Sequence, residues 1–483
     1  MKRILLKLLI SFIFFLLFMN CKKHEKERKP NILILLADQW RGQALGYAGD
    51  PNVITPNLDS LASTSAVFIN AVSSLPVCTP FKASLITGQR PLTNGVFMND
   101  VMLDTNAITI AKVLDKAGYN TGFIGKWHLD GQYRLRYTPP GPRRQGFQYW
   151  KAVNCDHNYF HSVYYFNNDT TRHYWKGYDA IAETQSAIKY IHDHSHDTKP
   201  FFLVLSWGPP HSPYHEVPEK YKAMYNPSNI ILRPNVPDSI KQRVRYDLCG
   251  YYAHISALDD MVGQIVSELK KEGIFDNTII LFTSDHGDLL GSHGKYAKQQ
   301  PYDESIKVPM LFHFSGKNGI KKGIYRAMIS SEDIMPTLLG LSGVKIPRTV
   351  EGIDFSRYLR KKEKDPKDTV ALITCVQPFG EWDRARGGKE YRGIRTPNYT
   401  YVRDLKGPWL LFDDQNDPYQ MNNLVNKAEY AGIQSHLDHI LIEKLNFTHD
   451  QFLPGPVYVK KYHYPPLDST GTVPYYYDGK WHL

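Results

Sequence analysis

The sequence predicts an α/β protein, a doubly wound, mostly parallel sheet followed by a smaller C-terminal α+β domain. Three observations predict it: four strongly apolar runs that each end in polar residues, helical periodicity between them, and short turn-separated strands beyond residue 370. The first run, Ile32-Leu33-Ile34-Leu35-Leu36-Ala37, shows no polar alternation and stops at Asp38, as does a strand buried on both faces of a parallel sheet. Thr121 to Gly125 leads into Lys126-Trp127-His128, Phe201 to Ser206 into Gly208-Pro209-Pro210-His211, and Thr278 to Thr283 into Asp285-His286. The clearest helix carries Leu248, Tyr252, Ile255, Leu258, Val262, Ile265, Val266 and Leu269 at spacings of three and four, with Gly273 beyond it. Strands alternating with helices build such sheets, and their ligands bind beyond the carboxyl ends of the strands. Four distant segments are therefore expected to bring their polar residues to one crevice.

The termini read differently. Lys2, Arg3 and Lys7 precede the apolar run Leu8 to Met19, which is shorter than the roughly 20 residues that span a bilayer. Residues 1–20 are read as a signal peptide and 21–29 as a charged tether. Cys21 resembles the lipidated cysteine of bacterial lipoproteins, so the expected location is the periplasm or cell surface, with a lipid on Cys21 as the only membrane attachment; simple secretion is the alternative. Residues 30–360 hold the catalytic domain, the charged 361–369 segment is a linker, and 370–483 form a small C-terminal domain and a surface tail. There Val370 to Thr374, Tyr399 to Val402 and Trp409 to Phe412 are the strand candidates.

The chain has 483 residues and a net charge of +10, of which +6 lies in the first 29 residues. That leaves no support for a nucleic-acid surface, although a few placed cations suffice for a small anionic substrate. The five cysteines, at 21, 78, 155, 249 and 375, show no paired spacing, so no disulfide framework or zinc ribbon is implied.

Asp38-Gln39 and Asp285-His286 could surround one ion with two carboxylates, an amide oxygen and an imidazole. Calcium accepts such oxygen ligands, and the imidazole makes manganese a competitor. Taken singly, each pair reads more readily as a turn-capping Asp, and the two pairs at equivalent strand ends reverse that preference. The segment Cys78-Thr79-Pro80-Phe81-Lys82-Ala83-Ser84-Leu85-Ile86-Thr87-Gly88 reads as a short helix with Pro80 in its first turn and Gly88 past its end. A side chain at its start meets free N–H groups that favour negative charge; a buried structural cysteine is the plainer alternative. A thiolate phosphatase loop is excluded, because Ser84 stands where such a loop needs Arg.

Together these segments resemble the type I, formylglycine-dependent sulfatases of the alkaline phosphatase superfamily, bacterial polysaccharide sulfatases in particular. The family signature Cys-x-Pro-x-Arg with a Leu-x-Thr-Gly ending is matched by Cys78-Thr79-Pro80-Phe81-Lys82 and Leu85-Ile86-Thr87-Gly88. Further matches are Pro30-Asn31-Ile32, Gly125-Lys126-Trp127-His128, Pro209-Pro210-His211, Ser284-Asp285-His286-Gly287, Gly291-Ser292-His293-Gly294, Pro301 to Ser305, Val308-Pro309, Asp417-Pro418 and Asn423-Leu424. The resemblance covers roughly residues 30 to 425 and implies an alkaline phosphatase-like fold.

It also implies that a sulfatase-maturing enzyme oxidises Cys78 to formylglycine, whose hydrate attacks sulfur. Asp38, Gln39, Asp285 and His286, together with the modified Cys78, would hold calcium, or else manganese or magnesium. Lys126 and Lys298 would add positive charge, His211 with Lys298 would protonate the departing oxygen, and His128 would take the proton of the second hydroxyl. Lys82 stands where the family has Arg, keeping the charge without the planar fork, which bears on whether Cys78 is converted.

Sugar recognition is expected from the Tyr-, His- and Asn-rich Asn154 to Tyr165 and from Gln377 to Arg395, which offers Trp382, Arg384, Arg386, Arg392 and Arg395; a solvated charged loop is the alternative for the second. The expected substrates are sulfated oligosaccharides, with ulvan and carrageenan fragments first. A phosphonate or phosphodiester hydrolase and an inactive sulfated-glycan-binding protein are the competing readings.

Overall fold

The computed structural model describes residues 28–482 apart from 317, 362, 364, 365 and 367–369. The segment read as a signal peptide, Cys21 and most of the segments read as tether and linker therefore lie outside the described residues.

Ten strands form one mixed sheet. From one edge to the other these are Gly323–Tyr325, Ala66–Phe68, Met310–His313, Thr278–Ser284, Asn31–Asp38, Phe201–Pro210, Asn120–Lys126, Tyr149–Val153, Val163–Phe166 and His173–Tyr174. The four apolar runs are adjacent, mutually parallel and central, and the antiparallel pairings lie toward the edges. The register sets Leu33 beside both Leu203 and Ile280.

Because side chains alternate across a strand, each run feeds two cores. Leu33, Leu35, Leu203, Leu205, Ile280 and Phe282 pack on one face with the long helix Lys241–Lys271, through residues such as Tyr251, Leu258 and Ile265. Ile32, Ile34, Phe202, Val204 and Leu281 pack on the other with Phe81 and Leu85 of the Cys78 helix and Leu338 of helix Ile334–Ser342. Each such side chain contributes roughly 1.5–3 kcal/mol by leaving water. The long helix begins seven residues before its predicted apolar period, since its first turns carry mostly solvent-facing polar residues.

Beyond residue 370 lies a four-stranded antiparallel sheet of Ala371–Cys375, Tyr391–Arg395, Tyr399–Asp404 and Gly407–Asp413. One face packs on Leu437 and Leu441 of helix Ala431–Phe447. The other meets Val72, Ile306 and Met328 of the main body. The final hairpin, Tyr475–Tyr477 with Lys480–His482, returns to the main body, where Tyr476 exchanges backbone hydrogen bonds with Gln132 and Arg134.

The second strand of this sheet corrects the reading of Gln377 to Arg395 as a continuous rim loop. Arg392 is wholly buried, ion-paired with Asp450 and donating to the Cys375 carbonyl. Arg395 binds both oxygens of Asp303 and lies 3.0 Å from Asp414. Acids far away in sequence neutralise both guanidinia, so neither faces a ligand.

Candidate active site

Cys78 is the first residue of helix Cys78–Thr87, behind an extended Val77 that offers no side-chain cap. Its Sγ is buried beyond the carboxyl ends of the central strands, 3.2 Å from His286 Nε2, 3.6 Å from Asp38 Oδ1 and 3.4 Å from Lys298 Nζ. The ligand atoms of Asp38, Cys78, Asp285 and His286 all lie within 4.8 Å of one another.

The chemistry of this cluster suits a cation. His286 must donate through Nδ1–H, because its 2.9 Å partner is the Gly287 carbonyl. That fixes the tautomer and aims the Nε2 lone pair into the cluster. Burial, then the charge of Lys298, holds this imidazole neutral, well below its ordinary pKa. Asp285 accepts through Oδ1 from the backbone N–H groups of Gln39 and His286, each at 2.9 Å, while its buried Oδ2 has no hydrogen-bond partner. Burial and the neighbouring Asp38 raise its pKa to about 7. Burial opposes ionisation of Asp38 too, but the ammonium groups of Lys126 and Lys298 outweigh it and hold that carboxyl well below the usual range. Gln39, at φ 69°, turns Oε1 to 3.5 Å from Lys298 Nζ and donates from Nε2 to Asp288 at 2.6 Å. Left-handed conformations of non-glycine residues are costly and concentrate at functional sites; His128, at φ 54°, is another here.

Cations ring the thiol. Lys126 is ion-paired with Asp38 and lies 2.9 Å from His157 Nε2. His157 stacks on His211 with ring centroids 4.2 Å apart, and His211 Nε2 lies 3.1 Å from Lys298 Nζ. His211 Nδ1 faces the Ser212 carbonyl at 2.8 Å, so it carries the proton and Nε2 accepts from the Lys298 ammonium. Burial and Lys298 keep His211 neutral, so the transferable proton of the pair rests on Lys298.

Lys82, one helical turn past Cys78, donates to the Lys126 carbonyl at 2.9 Å and to Ser206 Oγ at 2.7 Å. It ties the helix to two strand ends beneath the thiol. His128 Nε2 lies 3.4 Å from Asp100 Oδ1, and Asp100 is clamped by both nitrogens of Arg134 at 2.8 and 2.7 Å. Burial disfavours the imidazolium of His128, yet Cys155 and Asp100 stabilise it and raise its pKa to about 10.

His157, Asp100, Cys155 and Asp288 complete this constellation. His157 lay within the polar segment already marked, whereas Asp100 carries no local signal in the sequence. Of the sugar contacts predicted between Gln377 and Arg395, Trp382 donates from Nε1 to the Tyr296 carbonyl at 3.0 Å, and Lys295 Nζ sits 4.4 Å above its ring. Arg384 is held by Glu390 and Gln377, and exposed Arg386 reaches the Gly380 carbonyl at 3.3 Å.

A buried thiol, a carboxylate–imidazole cluster and a ring of cations beyond the ends of a parallel sheet define a hydrolase centre for an anionic ester. The Sulfatase family profile matches residues 30–344, and an N-sulphoglucosamine sulphohydrolase C-terminal profile matches residues 291–446. An ulvan-active sulfatase of Formosa agariphila is 44% identical over 461 residues, covering 94% of this chain and 88% of its own. An endo-4-O-sulfatase of Bacteroides thetaiotaomicron is 33% identical, covering 83% of this chain and 89% of its own. Among solved structures, a Bacteroides fragilis sulfatase superposes with a TM-score of 0.80 at 33% identity, over 90% of this chain and 99% of that one. A phosphonate monoester hydrolase of Agrobacterium radiobacter, 23% identical with a TM-score of 0.70 over 92% and 99% of the two chains, shares the fold. The chain belongs to the sulfatase family and is a sulfuric ester hydrolase of alkaline phosphatase-like fold.

Proposed function

We propose that this protein is an exported sulfatase that removes sulfate from ulvan-derived oligosaccharides, with Cys78 matured to formylglycine and a divalent cation at Asp38, Gln39, Asp285 and His286. The convergence of Asp38, Asp285 and His286 on the Cys78 thiol carries the chemical part. Similarity to an ulvan-active sulfatase across 94% of the chain supports the substrate. The basic and apolar start ending at Cys21 supports export as a lipoprotein in the periplasm or at the cell surface.

Formylglycine supplies a renewable hydroxyl nucleophile, and the cation, calcium first and manganese or magnesium next, offsets charge on the sulfuryl oxygens. The chain's own residues do the rest. Lys126 and Lys298 present two ammonium groups to the sulfuryl group. Lys298, positioned by His211 Nε2, delivers a proton to the departing sugar oxygen, which otherwise leaves as a poor alkoxide. Asp100, oriented by Arg134, stabilises His128 as an imidazolium, the form it holds at neutral pH. Lys82 acts through Lys126 and Ser206 in holding the helix start against the strand ends.

The test is the mass of the tryptic peptide containing Cys78, made in a host with its own maturing enzyme, together with sulfate release from ulvan oligosaccharides. An aldehyde in place of the thiol and sulfate release support the proposal. An unmodified thiol with no release overturns it.

A further inference from the structure

A cavity of about 600 Å³ lies beside the site, between the segment after His211 and the start of the long helix. Its walls include Ser212, Pro213 and Tyr214, which directly follow His211, and Tyr296, two residues before Lys298. The same two loops thus carry the proton-donating pair, closed by the 3.1 Å contact of His211 with Lys298, and one wall of the cavity. A pair that protonates a departing oxygen faces the departing molecule, and the cavity is walled by residues next to that pair on the same two loops.

The lining suits a charged sugar. Arg243 Cζ sits 4.7 Å over the Tyr296 ring with its side chain 72% exposed, and its one charged partner there, Asp247, is 3.5 Å away. Lys222, paired with Glu219 at 3.1 Å, adds a second cation to the lining, and Asp247 is the carboxylate there. Tyr246, 62% exposed, offers an aromatic face at the mouth. Trp382 and Lys295 continue the surface from Tyr296. Aromatic faces beside guanidinium donors bind rings that carry carboxylate or sulfate, and the volume lies within the ordinary range of small-molecule sites.

We propose that this cavity is a subsite for a sugar residue of the substrate chain that bears an anionic group, stacked on Tyr246 and held by Arg243. The assignment rests on the sulfatase reading above and names the part of the molecule that recognises the chain rather than the ester.

Binding tests it apart from turnover. A sulfated tetrasaccharide prepared from ulvan is titrated calorimetrically into the Cys78→Ala protein, alone and combined with Arg243→Ala or Tyr246→Ala. Both added substitutions fall on exposed side chains, so the fold is retained. The expected result is about tenfold weaker binding in each double variant. Equal affinity in all three proteins, or binding by none, overturns the subsite. Sulfate release by the unsubstituted enzyme is read separately. Release with equal affinities removes the subsite and leaves the sulfatase reading standing, whereas weakened binding without release keeps the subsite and removes the ulvan reading.

Discussion

His254 makes the loop that carries His211 sensitive to acid. It is wholly buried in the long helix, with Nδ1 2.6 Å from the Tyr178 hydroxyl and Nε2 3.3 Å from the Pro213 carbonyl, two residues past His211. The carbonyl can only accept, so Nε2 carries the proton and Tyr178 donates to Nδ1. Burial lowers the pKa from 6.5 to about 3; the Pro213 contact opposes the shift, and Lys222 and His215 add to it. A depressed histidine contributes stability that is present above its unfolded value of 6.5 and is lost as pH falls toward about 3. From about pH 8 to about pH 5 the loss from this group amounts to about 2 kcal/mol, a few degrees in Tm at most for a chain this long. His254→Gln keeps an acceptor and a donor but does not titrate. Thermal melts across that interval should show a smaller acid-induced loss in the variant, by about 2 kcal/mol. Parallel pH profiles for the two proteins would refute the assignment of this slope to His254.

Other outcomes follow from the same contacts. Asp38→Ala should lower sulfate release by roughly 1,000-fold or more and abolish any rise in Tm on adding calcium, read by fluorimetry with and without chelator. His211→Ala should slow hydrolysis of sugar sulfates by roughly 100-fold or more while affecting aryl sulfates with good leaving groups far less, because only the former need the proton; equal losses on both would exclude proton donation by the Lys298–His211 pair. Leu258→Ala, at a wholly buried position facing the central strands, should cost about 2–5 kcal/mol, measured by urea unfolding.

Much of the fold and site was legible because strand ends are loud signals. The apolar runs ending at Asp38, Lys126, His211 and Asp285 occupy adjacent parallel strands or the turns after them, so polar residues at those ends had to meet. Arg392 misled because a buried arginine looks like a solvated one until its acid is known, and Asp450 lies 58 residues away. The strand that holds it, Tyr-Arg-Gly-Ile-Arg, has no apolar alternation to announce it. Asp100 was silent for a related reason: its role comes from a φ of 62° and from Arg134, 34 residues on, and neither leaves a local pattern. The metal pairs were ambiguous singly and became informative only as two equivalent strand ends.

The depth of Cys78 also sets a clock. The thiol is 1% exposed in the finished fold, and the imidazole against it is contributed 208 residues later in the chain. At ribosomal speed those residues take roughly 10–40 s to emerge. Any enzyme that oxidises this thiol therefore meets a chain in which the strand and histidine that enclose it have not yet folded into place, and during synthesis that condition holds for the whole interval. Slowing translation between Cys78 and His286 would lengthen that interval without changing a single contact of the native protein.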